Sequence, residues 1–162
     1  MNRINFKSLA FHLLVPLMLF FIIMMLMPDF RDYYQGLSKP APAFPRIVLI
    51  AVWSSMFLFT GLSAYLAEQG TARSEPAQSG LFKFYFWQLL LNLFWFPVTF
   101  GFRWLFAGFL WTLALLVLAY ASYRRFASVN KVSGYLFLPY LVWLLFMTYY
   151  TFGLWAINSG VL

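Results

Sequence analysis

Five long apolar runs, separated by short segments that carry the charged residues, occupy most of this 162-residue chain. A helix needs about 20 apolar residues to cross a hydrocarbon core about 30 Å thick. The sequence therefore predicts an all-α integral membrane protein that forms one domain over residues 1–162. Its five transmembrane helices are predicted at residues 9–27, 47–67, 84–100, 105–123 and 132–157.

The composition excludes several classes of protein. Hydrophobic residues make up 64% of the chain and charged residues only 9%, whereas soluble domains carry about 25% charged residues. A soluble enzyme and a disordered chain are therefore excluded, and the absence of cysteine excludes a disulfide-stapled domain and thiolate chemistry. The net charge of +7 does not indicate a nucleic-acid partner, because the basic residues lie between the apolar runs and form no stripe.

Basic residues in the connecting segments predict the orientation of the chain. Segments that carry more Lys and Arg face the cytoplasm. With five helices, four of these residues fall on one side: Arg31, Lys39, Arg46 and Arg103. Seven fall on the other: Arg3, Lys7, Arg73, Lys83, Arg124, Arg125 and Lys131. We therefore expect the N-terminus in the cytoplasm and the C-terminus outside.

The segment between the first two predicted helices, residues 28–45, is longer than a simple connection requires. It begins like a short helix, with Asp32 in the first turn and Gly36 as a stop signal. It continues into a proline-rich stretch that favours extended backbone. Because it also carries tyrosine, leucine and phenylalanine, we expect it to form a lid over the helix ends.

The predicted spans lack the groups that ion coupling and hydrolysis need. Apart from Lys83 at an edge, they contain no Asp, Glu, Lys or Arg. Ion-coupled transporters generally use a charged group inside the membrane, so an ion-driven pump is not expected. The same shortage argues against a metal site and against general acid–base catalysis.

His12 is the only histidine, and two interpretations of it stay open. It could ligate a haem or act as a pH switch. The more ordinary interpretation is an interfacial side chain that reaches towards the headgroups, which we prefer because a lone histidine without a partner rarely forms a site.

The third predicted helix carries neutral polar residues on one face. Spacings of 4, 3 and 4 align Gln88, Asn92, Trp95 and Thr99. Such a stripe either holds helices together or lines a cavity. Trp53 and Trp143 lie in the interior of their helices, and with the stripe and the lid they would suit a flat apolar ligand with few polar groups. Plain core packing explains the aromatic residues about equally well.

Three ordered motifs resemble those of the tryptophan-rich sensory protein family, whose mitochondrial member is the translocator protein or peripheral benzodiazepine receptor. The first runs from Leu37-Ser-Lys-Pro40 through Pro45 to Trp53. The second runs from Gln88 through Asn92 and Trp95 to Gly101, and the third is Leu138-Pro139-Tyr140 with Trp143 and, later, Asn158. The resemblance extends from about Asp29 to Asn158.

This resemblance implies a function, a partner and a set of site residues. Members of the family form five-helix bundles, usually homodimers, and bind porphyrins such as protoporphyrin IX and benzodiazepine or isoquinoline ligands under the first loop. The expected protein is thus a receptor or sensor in a bacterial cell membrane, with a porphyrin as ligand and no cofactor. Transferred by position, the ligand-binding residues would be Tyr34, Pro45, Trp53, Phe57, Asn92, Trp95, Trp143 and Met147.

Two further functions stay open at this stage. The resemblance also implies transport of porphyrin or its degradation under light, in which Trp53 and Trp143 would be the catalytic residues. The alternative is a structural or accessory membrane subunit with no small-molecule ligand. Cholesterol binding through the proposed tyrosine-and-basic pattern is not expected, because no Lys or Arg follows Tyr149 or Tyr150.

Overall fold

The computed structural model describes the backbone of residues 5–71 and 75–160, and the side chains of residues 5–70 and 82–160. This part of the chain is helical and contains no strand. Its six α-helices are α1 Phe6–Met25, α2 Phe30–Gly36, α3 Arg46–Thr71, α4 Glu75–Phe96, α5 Leu105–Val129 and α6 Lys131–Asn158. Arg3 and Arg73, which contribute to the predicted orientation, lie outside the described residues.

Four helices in the described part of the chain are long and apolar enough to cross a membrane: Phe6–Met25, Arg46–Gly70, Leu105–Val129 and Lys131–Asn158. The predicted span 84–100 is not among them. It falls in α4, of which only residues 82–96 have described side chains, and in the segment that follows α4.

The five long helices pack side by side in the order α1, α3, α6, α5 and α4, and α4 returns to contact α1. Two close approaches fix this order around α3. A Cβ atom on Gly61 would lie 2.2 Å from the backbone oxygen of His12, so only glycine lets α1 come this close. Ser63 and Ser133 donate hydrogen bonds to each other's backbone carbonyls at 2.7 and 2.6 Å, which joins α3 to α6.

Several helices extend beyond the predicted apolar runs. Helix α5 ends at Val129 instead of residue 123, and α3 ends at Thr71 instead of residue 67. The largest difference is α4, which begins at Glu75 where residue 84 was predicted. The apolar run marks the part of a helix that is compatible with lipid, whereas backbone hydrogen bonding continues into the polar flanks.

The end of α4 is not α-helical. Residues Pro97–Gly101 form a π-helical turn, in which the backbone N–H of Phe102 donates to the carbonyl of Pro97 at 2.8 Å. Thr99 of this turn packs against Gly108 of α5, where a Cβ atom would lie 2.4 Å from the threonine hydroxyl oxygen. π-Helical turns are rare and frequently lie at functional sites.

The segment between α1 and α3 contains the short helix that its sequence predicts. Helix α2 ends at Gly36, and the chain then continues as a non-helical stretch, residues 37–45, here called the strap. Phe30 and Tyr34 of α2 are buried, with 3% and 1% of their surface exposed. Helix α2 therefore packs onto the end of the bundle through its aromatic side chains.

Candidate functional site

Four aromatic side chains meet beneath α2 and the strap, and we call them the aromatic cluster: Trp53, Trp95, Phe96 and Trp143. The ring centroid of Trp53 lies 5.1 Å from that of Trp95 and 6.2 Å from that of Trp143. Trp53 and Trp95 are completely buried, and Trp143 is 8% exposed. The cluster thus joins three helices that are far apart in the sequence.

Polar atoms next to this cluster have no hydrogen-bond partner. In the described part of the chain they are the Nε1 atoms of Trp53 and Trp143 and both amide atoms of Asn92. Asn92 is 1% exposed. More than nine in ten buried polar groups of folded proteins are paired, so this concentration is not what an ordinary apolar core shows.

The unpartnered polar groups continue along the bundle from Asn92 towards the far end of α4. Both amide atoms of Gln88 and the hydroxyls of Tyr85 and Tyr140 are buried without a hydrogen bond of ordinary geometry, although Gln88 lies next to the Tyr140 hydroxyl and Thr60 next to the Tyr85 hydroxyl. The hydroxyl of Thr99, nearer the other end of the stripe, is also buried without a partner. The stripe predicted on α4 is therefore an inward face. Most of the stripe does not hold helices together by hydrogen bonds. Of its four residues only Trp95 makes such a bond, from its indole N–H to the Thr112 hydroxyl on α5 at 2.9 Å.

Helix α6 holds the strap through a set of contacts that we call the latch. The Asn158 amide accepts from the backbone N–H of Ser38 at 3.0 Å and donates to the Ser38 carbonyl at 2.8 Å. The Tyr149 hydroxyl donates to the carbonyl of Ala41 at 2.7 Å. Pro40 sits on Gly153, where a Cβ atom would come within 2.8 Å of the proline ring.

Tyr34 connects the latch to the aromatic cluster. Its hydroxyl donates to the Phe44 carbonyl at 2.9 Å and lies 2.7 Å from the hydroxyl of Tyr150. Burial raises the pKa of Tyr34 above its usual value, and the hydrogen bond to Tyr150 adds to this shift. The Lys39 ammonium lies 4.8 Å above the Tyr34 ring, which is a cation–π distance.

The predicted site residues are placed as follows. Trp53, Asn92, Trp95 and Trp143 lie together, and Tyr34 lies above them next to the strap. Phe57 and Met147 are fully buried, with Phe57 packed on Phe20 of α1 at 5.2 Å. Pro45 is exposed, and its carbonyl accepts from the backbone of Val48 and Leu49 at the start of α3.

Sequence reasoning missed three features of this site. The inward direction of Tyr85 and Tyr140 has a weak signal, since each lies three residues from Gln88 or Trp143 on the same helix. Phe44 packs on Phe146 and Trp143 at 5.4 and 6.3 Å, which places the strap directly against the cluster. The pairing of Asn158 with Ser38 spans 120 residues and has no local sequence signal.

The arrangement can bind a ligand but offers no acid–base chemistry. Its surfaces are aromatic faces, two indole N–H donors and amides that can donate and accept. Indole and phenol rings recognise flat unsaturated molecules by stacking and edge contacts. Unpaired donors and acceptors would suit a ligand with polar groups at its edge, whereas the sequence alone predicted a ligand with few polar groups.

Comparison with known proteins gives concordant matches. Residues 6–156 match the model of the TspO/MBR family. The chain is 33% identical over 135 residues to the human translocator protein, which covers 79% of this chain and 76% of that protein. It is 30% identical over 128 residues to protein CrtK of Rhodobacter capsulatus, with 79% of each chain covered. It is also 30% identical over 119 residues to the tryptophan-rich sensory protein of Cereibacter sphaeroides, with 74% of this chain and 71% of that protein covered.

Proposed function

Because the chain belongs to the TspO/MBR family of integral membrane proteins, we propose that it is a receptor for porphyrins. Protoporphyrin IX-like tetrapyrroles would bind in the aromatic cluster, and benzodiazepine or isoquinoline compounds would occupy the same place. Transport of porphyrin would use this site. We further propose that the five long helices all cross the membrane and that α2 and the strap form the lid. The chain would be a homodimer in a bacterial cell membrane, with its N-terminus in the cytoplasm.

The observation that carries the proposal is the set of unpaired polar atoms around the cluster. The rings of Trp53 and Trp143 meet at 6.2 Å with both Nε1 atoms unpaired. Asn92, with both amide atoms unpaired, lies one helical turn from Trp95 of the same cluster. An unpaired buried polar group costs about 1–3 kcal/mol. A ligand that bonds to these atoms regains that free energy, so the site favours a flat molecule with polar edge groups over a hydrocarbon.

Binding is tested by the quenching of tryptophan fluorescence when protoporphyrin IX is added to the protein in detergent. The variant Trp53→Phe/Trp143→Phe keeps aromatic packing but removes both indole donors. We expect its affinity to fall about 30-fold, since each lost hydrogen bond contributes about 1 kcal/mol. The matched control is Trp87→Phe/Trp104→Phe, which changes two exposed indoles at 49% and 62% exposure and should leave the affinity unchanged.

The competing role is that of a structural subunit whose aromatic residues serve packing alone. A ligand that binds only the folded state must raise the melting temperature. Equal affinities in the two double variants, together with a melting temperature that porphyrin does not change, would support the structural role and contradict ours.

A second candidate function is the light-dependent degradation of the bound porphyrin. It is favoured by the contact between Trp53 and Trp143, whose rings meet edge-to-face at 6.2 Å with both N–H groups unpaired. The porphyrin would absorb the light, so no acid–base pair is needed. Loss of the porphyrin absorption band under illumination measures this activity. Free tryptophan in detergent is the control, and an equal rate with it would refute an enzymatic role.

A further inference from the structure

A cavity lies at the end of the bundle opposite the latch. It has a volume of about 480 Å³, which is within the usual range of small-molecule sites. It is bordered by α1, the end of α3 and α4, and its lining shares no residue with the aromatic cluster. The lining residues are Ser8, Phe11, His12, Val15, Pro16, Leu19, Glu68, Phe82, Tyr85, Phe86 and Leu89. We call it the α1–α4 groove.

The groove has a polar head and an apolar tail. Ser8, His12 and Glu68 form the head, and the remaining lining residues except Tyr85 are apolar. From Ser8 to Leu19 the helix rises about 16 Å at 1.5 Å per residue. Phe11 and Phe86 are largely exposed at 63% and 59%, as expected for side chains that meet lipid. The groove is thus open to an acyl chain from the bilayer.

The polar head presents hydrogen-bond acceptors. The Ser8 hydroxyl donates to the Glu68 carboxylate, and the His12 Nδ1 atom lies 2.9 Å from the Ser8 carbonyl. Because a carbonyl only accepts, Nδ1 carries the proton, and in the neutral imidazole Nε2 is then an acceptor. A carboxylate accepts several hydrogen bonds at once, so an ammonium group can share the Glu68 carboxylate with its present partners.

The charges around the head are complementary to a zwitterionic headgroup. Glu68 supplies a negative charge inside the groove. Lys7 directly precedes the lining residue Ser8, and Lys83 directly follows the lining residue Phe82. Both lysines are exposed. An ammonium group at Glu68 and a phosphate near the two lysines satisfy both signs of charge.

We propose that the α1–α4 groove is a binding site for a phospholipid with a primary-ammonium headgroup, such as a phosphatidylethanolamine. The ammonium donates to the Glu68 carboxylate and to Nε2 of His12. One acyl chain lies along the apolar wall between Val15 and Leu89. The groove shares only Tyr85 with the inward face of α4 and no residue with the aromatic cluster, so this proposal stands if the porphyrin proposal fails.

The test is a headgroup series on the full chain in detergent, read by native mass spectrometry. The lipids are dioleoyl phosphatidylethanolamine, its N-methyl and N,N-dimethyl forms, and dioleoyl phosphatidylcholine. All four keep the positive charge and the chains, and only the number of N–H donors changes. We expect the affinity to fall stepwise, by about tenfold across the series, because hydrogen bonds to charged groups are the strong ones. Equal affinities would overturn the proposal and would indicate ordinary boundary lipid.

Two variants, Glu68→Gln and Leu89→Trp, locate the site, and a third, Asp32→Asn, is the control. Glu68→Gln should bring the four affinities within about twofold of each other, because a neutral amide loses the charge-assisted bond. Asp32→Asn, which changes an exposed carboxylate of α2 at the other end of the molecule, should leave the series unchanged. Leu89→Trp, which fills the tail, should remove all four lipids from the high-affinity site. A stepwise series that persists in Glu68→Gln would overturn the assignment of the head, and the wild-type series remains decisive if a variant does not fold.

Discussion

The latch and the inward face of α4 are two polar regions of the bundle, and they differ in hydrogen bonding. In the latch, the Asn158 amide and the Tyr149 hydroxyl both have partners. On α4, both amide atoms of Gln88 and Asn92 have none in the described part of the chain. Paired polar groups stabilise a fold, whereas unpaired ones cost stability and are retained where function needs them. The latch is therefore structural, whereas the inward face of α4 keeps unpaired donors and acceptors, and this is why our proposal assigns the ligand to it.

The largest effect is expected from adding a side chain at Gly153, because it would disrupt the latch. The variant Gly153→Val places two extra methyl groups against Pro40, whose ring lies 2.8 Å from a Cβ atom there. Overpacking of this kind costs about 3 kcal/mol. We expect the strap to detach, which should lower the melting temperature in detergent and speed the release of protoporphyrin IX in a stopped-flow experiment.

The control for that variant is Gly36→Ala. Gly36 ends α2 and has open space where its Cβ atom would lie. An unchanged release rate in Gly153→Val would show that the contact with Gly153 does not hold the strap.

Removal of an unpaired amide should have the opposite effect on stability. Asn92→Leu replaces a buried polar side chain by an apolar one of similar volume. We expect it to raise the free energy of unfolding by about 2 kcal/mol, because the cost of the two unpaired amide atoms disappears. The same change should weaken protoporphyrin IX binding, which fluorescence quenching measures. A destabilised Asn92→Leu protein would mean that the amide is paired in the native state and that the contrast is wrong.

Tyr34 lies between the two regions and should respond to both mutation and pH. Tyr34→Phe removes the hydrogen bond to the Phe44 carbonyl and the one between the Tyr34 and Tyr150 hydroxyls. We expect the free energy of unfolding to fall by about 1.5 kcal/mol. Burial raises the pKa of Tyr34 above the ordinary value of 10.0. Its contribution to stability is therefore complete below that value, where the phenol is neutral in both states, and is lost as the pH rises above it.

The measurement is the melting temperature of wild type and of Tyr34→Phe between pH 8 and pH 11. The difference between the two proteins should shrink at the alkaline end, because an ionised phenol in the unfolded chain favours unfolding. A difference that is constant with pH would exclude a contribution from Tyr34 ionisation.

The smallest expected effect is that of the exposed part of the latch. Asn158→Ala removes the two bonds to Ser38, but Asn158 is exposed and water replaces its partners. We expect a loss of about 0.5 kcal/mol and a small increase in the ligand release rate. Asn158→Asp, which retains an acceptor for the Ser38 N–H, should show a smaller effect than Asn158→Ala. Equal release rates for wild type and Asn158→Ala would limit the latch to its Tyr149 and Gly153 contacts.

The surroundings of His12 show what a sequence pattern along one helix can and cannot predict. The sequence predicts that His12 reaches towards the headgroups, because a lone histidine without a partner rarely forms a site. In the structure its side chain is largely buried, with 12% exposed, and Nδ1 lies 2.9 Å from the Ser8 carbonyl and 3.9 Å from the Glu68 carboxylate. Glu68 is 56 residues away and reaches His12 only because α3 packs on α1 at Gly61. A pattern on one helix cannot reveal a partner on another.

The sequence by itself determined the membrane class, the long helices and the face that Gln88, Asn92, Trp95 and Thr99 share. These follow from hydropathy and from the 3.6-residue period, which are local properties. The tertiary structure decided which indoles meet, that Pro45 is exposed, and that Asn158 holds Ser38. It also decided that the shared face of α4 is largely without hydrogen bonds, because pairing depends on the distance and direction of groups that only packing brings together.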